Sequence, residues 1–542
     1  MNQIEEELSN LDDVEDEIHH DTDDEGNSPI IDKNLPTKRN PNQDEIYRLA
    51  GRSPLMTILN LMIGPILTQV TGALYGVINT IWVSRAIGEI GMSAVATEYC
   101  FECIGRAFGY FLQSAGTTQI SYLYGQKLEG EAPQVVVDIL RFSILCAASV
   151  PALLIPIHDP VAKWYGASPE TIKEGYNYLL PFIVGAIFPC INMACAGFLQ
   201  AEGRTMLIGV INIVSLGISM AGLVPLFLYG FKSGIIGTSI ATILADAIPG
   251  VILVILYFAG FFGVKPKVNM LFKPFSKHTW KALGVGSSQL VSQLALNIPG
   301  IFIRKLIGLS TDPVDYDNAM SGFNVFCRYN QIVNCLVIAV TTGYIPPASY
   351  AYAAKDSIRY LWLSFHSAWI AFAWSVFTTI LSLTIPRQIS MMFSSGEDFL
   401  SFSAPMLKVS TALNFIMWMR FNAQAMLQAL QSGGRAMIIS FVSNFVATIG
   451  FAYVLYFTDK HNVIRLMWVY PISIAVGFVF GLALLLKPLL QMYRSAKTQS
   501  ILEGKDQVPE PLDHPDLAKE KPDVSSSADE GIDHEGTDID EL

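Results

Sequence analysis

SYLYGQK at 121–127 returns as SYAYAAK at 349–355, and LQAEGRTM at 199–206 returns as LQSGGRAM at 430–437. The two offsets, 228 and 231 residues, nearly agree. Self-similarity at one spacing marks a duplicated chain. Around these echoes lie twelve stretches long and apolar enough to cross the hydrocarbon core, which takes about 20 residues of helix. They run near 55–81, 92–118, 137–157, 176–199, 206–229, 234–262, 282–307, 319–344, 360–384, 404–428, 436–457 and 465–487. Barrel strands would be about 10 residues long with alternating polarity, so the spans are helices. The expected fold is an all-α polytopic membrane protein with twelve transmembrane helices in two six-helix lobes, related by a pseudo-twofold axis. Six spans per half make the repeats parallel. Secondary transporters share that design, with their site between the halves near the membrane midplane.

Only 15% of residues are charged and the mean hydropathy is +0.40. Soluble domains carry about 25% charged residues. The net charge of −12 belongs to the ends. Residues 1–52 hold 15 acidic and 5 basic residues, and 499–542 hold 14 and 3. The body between them holds 27 basic and 18 acidic residues. A nucleic-acid partner is therefore not expected. The chain divides into an acidic tail (1–52), an N-lobe (53–262), a linker (263–281), a C-lobe (282–490) and a second acidic tail (491–542). Both tails are too polar to bury a core and are expected to be disordered. The N-terminus lacks a basic stretch followed by an apolar one, so no cleaved signal peptide is expected. Basic residues cluster before the first span (Lys38, Arg39, Arg48, Arg52), in the linker (Lys265, Lys267, Lys273, Lys277, Lys281) and after the last span (Lys487, Arg494, Lys497). Positive charge stays on the cytoplasmic side, so both termini are expected there, in a plasma membrane or an endomembrane.

All seven cysteines lie in apolar segments, so no disulfide framework is expected. The pair Cys100 and Cys103 has no second ligand pair and reads as small packing residues rather than a metal site. Gly203-Arg204 and Gly434-Arg435, between spans, read as helical-hairpin turns carrying a topology charge.

Ionisable residues inside a span are costly and are functional or paired by default. In ATEYCFECIGRAFGYF, Glu98, Glu102 and Arg106 fall at i, i+4 and i+8, on one helix face. Glu102 lies near the midplane. It either neutralises Arg106 or serves as a carboxylate whose proton affinity its surroundings tune, binding H⁺ or Na⁺. Asp246, three residues before Pro249, is a second candidate, because the proline frees a carbonyl near Ala245 that could add an oxygen ligand. Arg328 and Arg420 have no acid in their own spans, which leaves pairing with Glu98 or Asp246 across the bundle open. Gln289, Gln293, Asn330 and other amides of the second half suit a chamber for amphipathic solutes, or else tie helices together. His366 reads as a packing or hydrogen-bonding residue.

These segments resemble the multidrug and toxic compound extrusion (MATE) transporters. The similarity is carried by ILNLMIGPILTQVTGALYGVINTIWVSRAIGEIGMSAVAT (58–97), SAGTTQISYLYGQK, FLQAEGRTMLIGVINI (198–213), GIIGTSIATIL (234–244) and the two echoes, and it covers about 53–490. The resemblance implies a V-shaped pair of lobes, a central cleft, alternating access and export of organic, often cationic, compounds against H⁺ or Na⁺. The family's first-helix proline matches Pro65. Two family aspartates are absent: their positions hold Asn79 and Val224. Glu98, Glu102 and Asp246, with Asn79 as a neutral oxygen, are then the expected cation-coupling groups. Arg106, Arg328, Asn330, Gln289 and Gln293 are the expected cleft residues.

No metal and no cofactor beyond the coupling ion is expected. The expected partners are a small-molecule substrate and the bilayer, and the chain is expected to act as a monomer. An enzyme is not expected, because His366 alone makes no catalytic constellation. A lipid-linked oligosaccharide flippase of the same superfamily and a major-facilitator transporter are the competing readings. The former usually has more spans and a basic cavity. The latter has a basic, glycine-led loop where this chain has GQKLEGEAPQ.

Overall fold

The computed structural model describes residues 45–165, 169–312, 315–393 and 396–505. Among them, regular structure is entirely helical. Among the described residues, ten helices are long and apolar enough to cross a membrane, and a bent pair supplies an eleventh. A further 37-residue helix, Glu89–Gly125, is too polar to pass on hydropathy. Its first half carries Glu98, Glu102 and Arg106, and its second half is rich in Gly, Ser, Thr and Gln. Such a helix crosses lipid only when wrapped in protein.

In chain order the membrane helices are α1 (Pro54–Ile87), α2 (Glu89–Gly125), α3 (Ala132–Tyr165), α4 (Pro169–Val184 and Ile187–Ala201), α5 (Thr205–Gly230) and α6 (Gly234–Ala259). The second lobe holds α7 (Lys277–Ser310), α8 (Tyr316–Ala353), α9 (Ser357–Thr384), α10 (Glu397–Ser410 and Met417–Ala429), α11 (Gly433–Thr458) and α12 (Val463–Gln499 and onward). The expected spans 176–199 and 404–428 prove to be broken helices. The first bends by 53° at residues 185–186, and the second is interrupted by a 3₁₀ turn at Asn414–Ile416. Both breaks fall in the repeat-related fourth helix of their lobe. The duplication read from the loops therefore extends to the helix geometry.

The expected tails lie mostly outside the described residues. Where they are described, the chain is helical rather than disordered. Residues 45–51 are helical, with Glu45 and Leu49 fully buried, and the helix that completes α12 runs to Lys505. Burial of Leu49 and pairing of Glu45 explain why this part of an acidic segment is ordered.

The lobes meet through α7 against α2 and through α8 against α1 and α2. Small residues bring the backbones together: Gly286 sits on Phe111 and Ala115, Gly343 on the Leu61–Met62 backbone, and Gly125 on Tyr350. The repeated glutamines of the two LQ motifs cross between lobes. Gln200 Nε2 donates to the Thr342 carbonyl at 2.6 Å, and Gln431 Nε2 donates to the Thr118 carbonyl at 3.3 Å. Both bonds lie in the half of the bundle toward the two described chain ends. A Cβ on Gly343 would meet the Met62 amide nitrogen at 2.8 Å. Gly343→Leu is therefore expected to destabilise the protein by about 1–3 kcal/mol, the usual cost of overpacking. A lower thermal midpoint in detergent would show it; an unchanged midpoint would mean the lobes do not rely on this approach.

Candidate functional site

Arg106 is the centre of the site. From α2 its Nε donates to Glu102 Oε1 at 3.0 Å, one turn away on the same helix. Its Nη1 reaches Asp246 Oδ2 on α6 at 3.2 Å. Asp246 also accepts from Asn192 Nδ2 of α4 at 3.1 Å. The Tyr178 hydroxyl donates to Glu102 Oε2 at 3.5 Å. The guanidinium lies 5.6 Å from the Phe182 ring centroid. The side chains of Glu102, Arg106 and Asp246 are 13%, 25% and 18% exposed, so the cluster is partly buried and reachable. A crevice opens onto it, lined by Glu102, Tyr178, Leu179, Phe182, Ser239 and Thr242. With all three groups ionised, two carboxylates share one cation. The cluster then keeps one negative charge where the dielectric is low and attraction for a cation is strong.

Asn79 of α1 is buried beside the Tyr178 hydroxyl, so it belongs to this cluster. Pro65 sits buried within α1. Pro249 lies within α6. The carbonyl it frees at Ala245 accepts from Ser215 Oγ of α5 at 2.5 Å, which satisfies it within the bundle. Val224, at the second missing-aspartate position, is fully buried in an apolar cluster.

Glu98 departs from the expectation that it shares a face with Glu102 and Arg106. It is fully buried and turns to α3, where its Oε1 lies 3.0 Å from His158 Nε2. The i,i+4 spacing rotates a side chain about 40° around the helix, and α2 is packed closely enough on several sides for that rotation to change its neighbour.

In the C-lobe the cleft candidates separate. Gln289 Oε1 accepts from Gln424 Nε2 at 3.1 Å and Gln428 Nε2 at 3.3 Å. With Ser288, Ser292 and Ser440 this network ties α7 to α10 and α11, so Gln289 holds helices together. Gln293 and Asn330 are half-buried. Arg328 is exposed, with Asn324 and Gln331 exposed near it along α8, and its guanidinium points toward Gly76 of α1. Neither arginine pairs with Glu98 or Asp246. Arg420 donates to Asn444 and lies over the Phe421 ring. His366 accepts from Trp369 Nε1 at 3.0 Å and stacks on Trp362.

The loops hold pairs that the sequence did not suggest. Gly203 takes φ +75°, as a tight reversal requires. Arg204, however, pairs with Glu45 at 3.2 Å and Glu202 at 3.5 Å, whereas its repeat partner Arg435 is exposed.

The MatE family model matches residues 65–224 and 312–454. The chain belongs to the MatE family. MatE proteins are transporters rather than enzymes. The curated relatives agree. A multidrug export protein MepA of Staphylococcus haemolyticus (strain JCSC1435) is 22% identical over 393 residues, covering 70% of this chain and 82% of that protein. A MepA of Staphylococcus aureus (strain N315) is 22% identical over 388 residues, with the same coverage. Among solved structures, the outward-facing conformation of a multidrug resistance MATE family transporter superposes with a TM-score of 0.73 at 19% identity, covering 85% of this chain and 99% of that one. The crystal structure of a MATE in the bent conformation also gives 0.73 at 19% identity, covering 84% and 99%. At such identities the likeness shows the MatE fold, with its twelve helices in two lobes.

Proposed function

We propose that this MatE protein is a secondary antiporter that exports organic cations in exchange for H⁺ or Na⁺, as a monomer with both termini in the cytoplasm. One observation carries the reading: Arg106 is shared by Glu102 and Asp246 beside an aromatic crevice. A cation arriving at either carboxylate releases that arm of the guanidinium, which then pairs fully with the other. Ion and organic cation compete for the same surplus negative charge, and such competition couples the two fluxes. The exposed polar face of α8 at Asn324, Arg328 and Gln331 suits a wet cleft between the lobes. The MepA relatives support export of drug-like compounds as the cargo class.

Proteoliposomes loaded with ethidium test this. A pH or Na⁺ gradient of the right sign is expected to drive ethidium uphill, and Glu102→Gln or Asp246→Asn to reduce that flux roughly tenfold. Uphill flux unchanged in both variants would remove the clamp from the mechanism.

A further inference from the structure

Near the C-terminal end of α3 the N-lobe holds a second buried ionisable cluster, apart from the Arg106 clamp. His158 of α3 is fully buried. Its Nε2 lies 3.0 Å from Glu98 Oε1, and its Nδ1 lies 2.8 Å from Asp159 Oδ1. The Phe101 and Tyr176 rings wall the imidazole, each 5.3 Å away between centroids. Glu98 Oε2 is buried and has no hydrogen-bond partner. Gly175 of α4 leaves the space that the Glu98 carboxylate occupies; a Cβ there would collide with it.

A neutral imidazole carries one N–H, and an ionised carboxylate only accepts. With both carboxylates ionised and the ring neutral, one ring nitrogen would face a carboxylate oxygen lone pair to lone pair. One added proton resolves this. It makes either an imidazolium that donates both ways or a Glu98 carboxyl that donates to Nε2. The geometry therefore selects the state with the extra proton.

We propose that Glu98, His158 and Asp159 form a proton-binding site and that H⁺ is the ion exchanged for the organic cation. This rests on the antiport reading above, names its coupling ion and places that ion at this pair rather than at the clamp, which is left to the organic cation; α2 carries Glu98 and Glu102 and links the two sites. Loss of the proton turns an attractive contact repulsive in a dry site, so release favours separation of α3 from α2. Pro151, Pro156 and Pro160 interrupt the hydrogen-bond ladder of α3 on both sides of His158 and give that end room to move. Of the elements packed here, α4 presents Tyr176 to the imidazole, α7 presents Lys305 to the Trp164 ring of α3, and Glu102, one turn along α2, is paired with Arg106.

The test is ethidium transport in proteoliposomes under three drives: a pH gradient, a Na⁺ gradient, and ethidium counterflow with no ion gradient. His158→Gln and Glu98→Gln are expected to cut pH-driven uphill export about tenfold or more while counterflow persists. Asp159→Asn, at an exposed side chain, leaves the buried pair in place. It is expected to move the pH profile of export toward acid by about one unit, because a stabilising negative charge is gone. If the wild type responds to Na⁺ alone, or if the variants keep full pH-driven export, the proton site is overturned and the antiport reading stands. A wild type that gives counterflow but no uphill flux under either gradient overturns the antiport reading itself. Equal loss of counterflow in His158→Gln, with no shift in Asp159→Asn, would make the cluster structural and overturn the proposal.

Discussion

Arg106→Met is expected to abolish export and to lower stability by about 3 kcal/mol. Removing one partner of a buried pair leaves the remaining charge uncompensated, at a cost of about 3–5 kcal/mol. The low end applies because the Arg106 side chain is a quarter exposed. Glu102 and Asp246 lose the same cation together. Arg106→Lys keeps the charge but not the fork, and an ammonium serves two carboxylates on different helices less well. It is expected to restore most of the stability and only part of the transport. The triple variant Arg106→Met, Glu102→Gln, Asp246→Asn removes all three charges. It is expected to recover the thermal midpoint while remaining inactive in the ethidium assay. A triple variant that still exports would show that the clamp is only a structural ion pair.

The fold was legible because its determinants are long and redundant. Twelve apolar stretches and two loop echoes each point to the same two lobes. Breaks within spans were not legible. The break at Gly185 lies in a segment whose two pieces are together still apolar enough to span a membrane, and the Asn414 turn carries no charge to mark it. The site was half legible. Glu102, Arg106 and Asp246 stand out because charge in an apolar run is rare, and the structure brings all three together. Glu98 stood out equally, but a spacing rule fixes only the angular neighbourhood of a side chain, and α2 has neighbours on several sides. His158 was missed because the third span was ended at residue 157. The prolines around it look like a helix end, yet membrane helices tolerate proline inside. Glu45 was hidden in a segment whose average composition is that of a disordered tail. Its buried carboxylate pairs with Arg48 nearby and with Arg204, which lies far away in sequence.

That loop cluster yields the second large effect, a pH dependence of the packing where the N-terminal segment, the α4–α5 turn and the linker meet. Glu202 is fully buried. Its Oε1 accepts from the Val264 amide of the linker at 3.1 Å. Burial pushes its carboxyl up to about 7, a rise that Glu45 reinforces and that the Val264 and Gly263 amides and Arg204 only partly offset. A carboxyl bound more tightly to its proton in the packed state than in water favours packing at low pH. That contribution is complete below the ordinary value of 4.5 and is lost as pH rises through about 7. At about 1.36 kcal/mol per pKa unit the whole effect is roughly 3 kcal/mol. The thermal midpoint in detergent is therefore expected to be higher at pH 6 than at pH 8. Glu202→Gln, a neutral isostere that still accepts from Val264, is expected to flatten that difference and hold the higher value at pH 8. Arg204→Gln is expected to steepen it, because the remaining ionised Glu202 and Glu45 would then face each other without their shared cation. A midpoint independent of pH in the unaltered protein would mean that Glu202 opens to water and that the linker is not held through it.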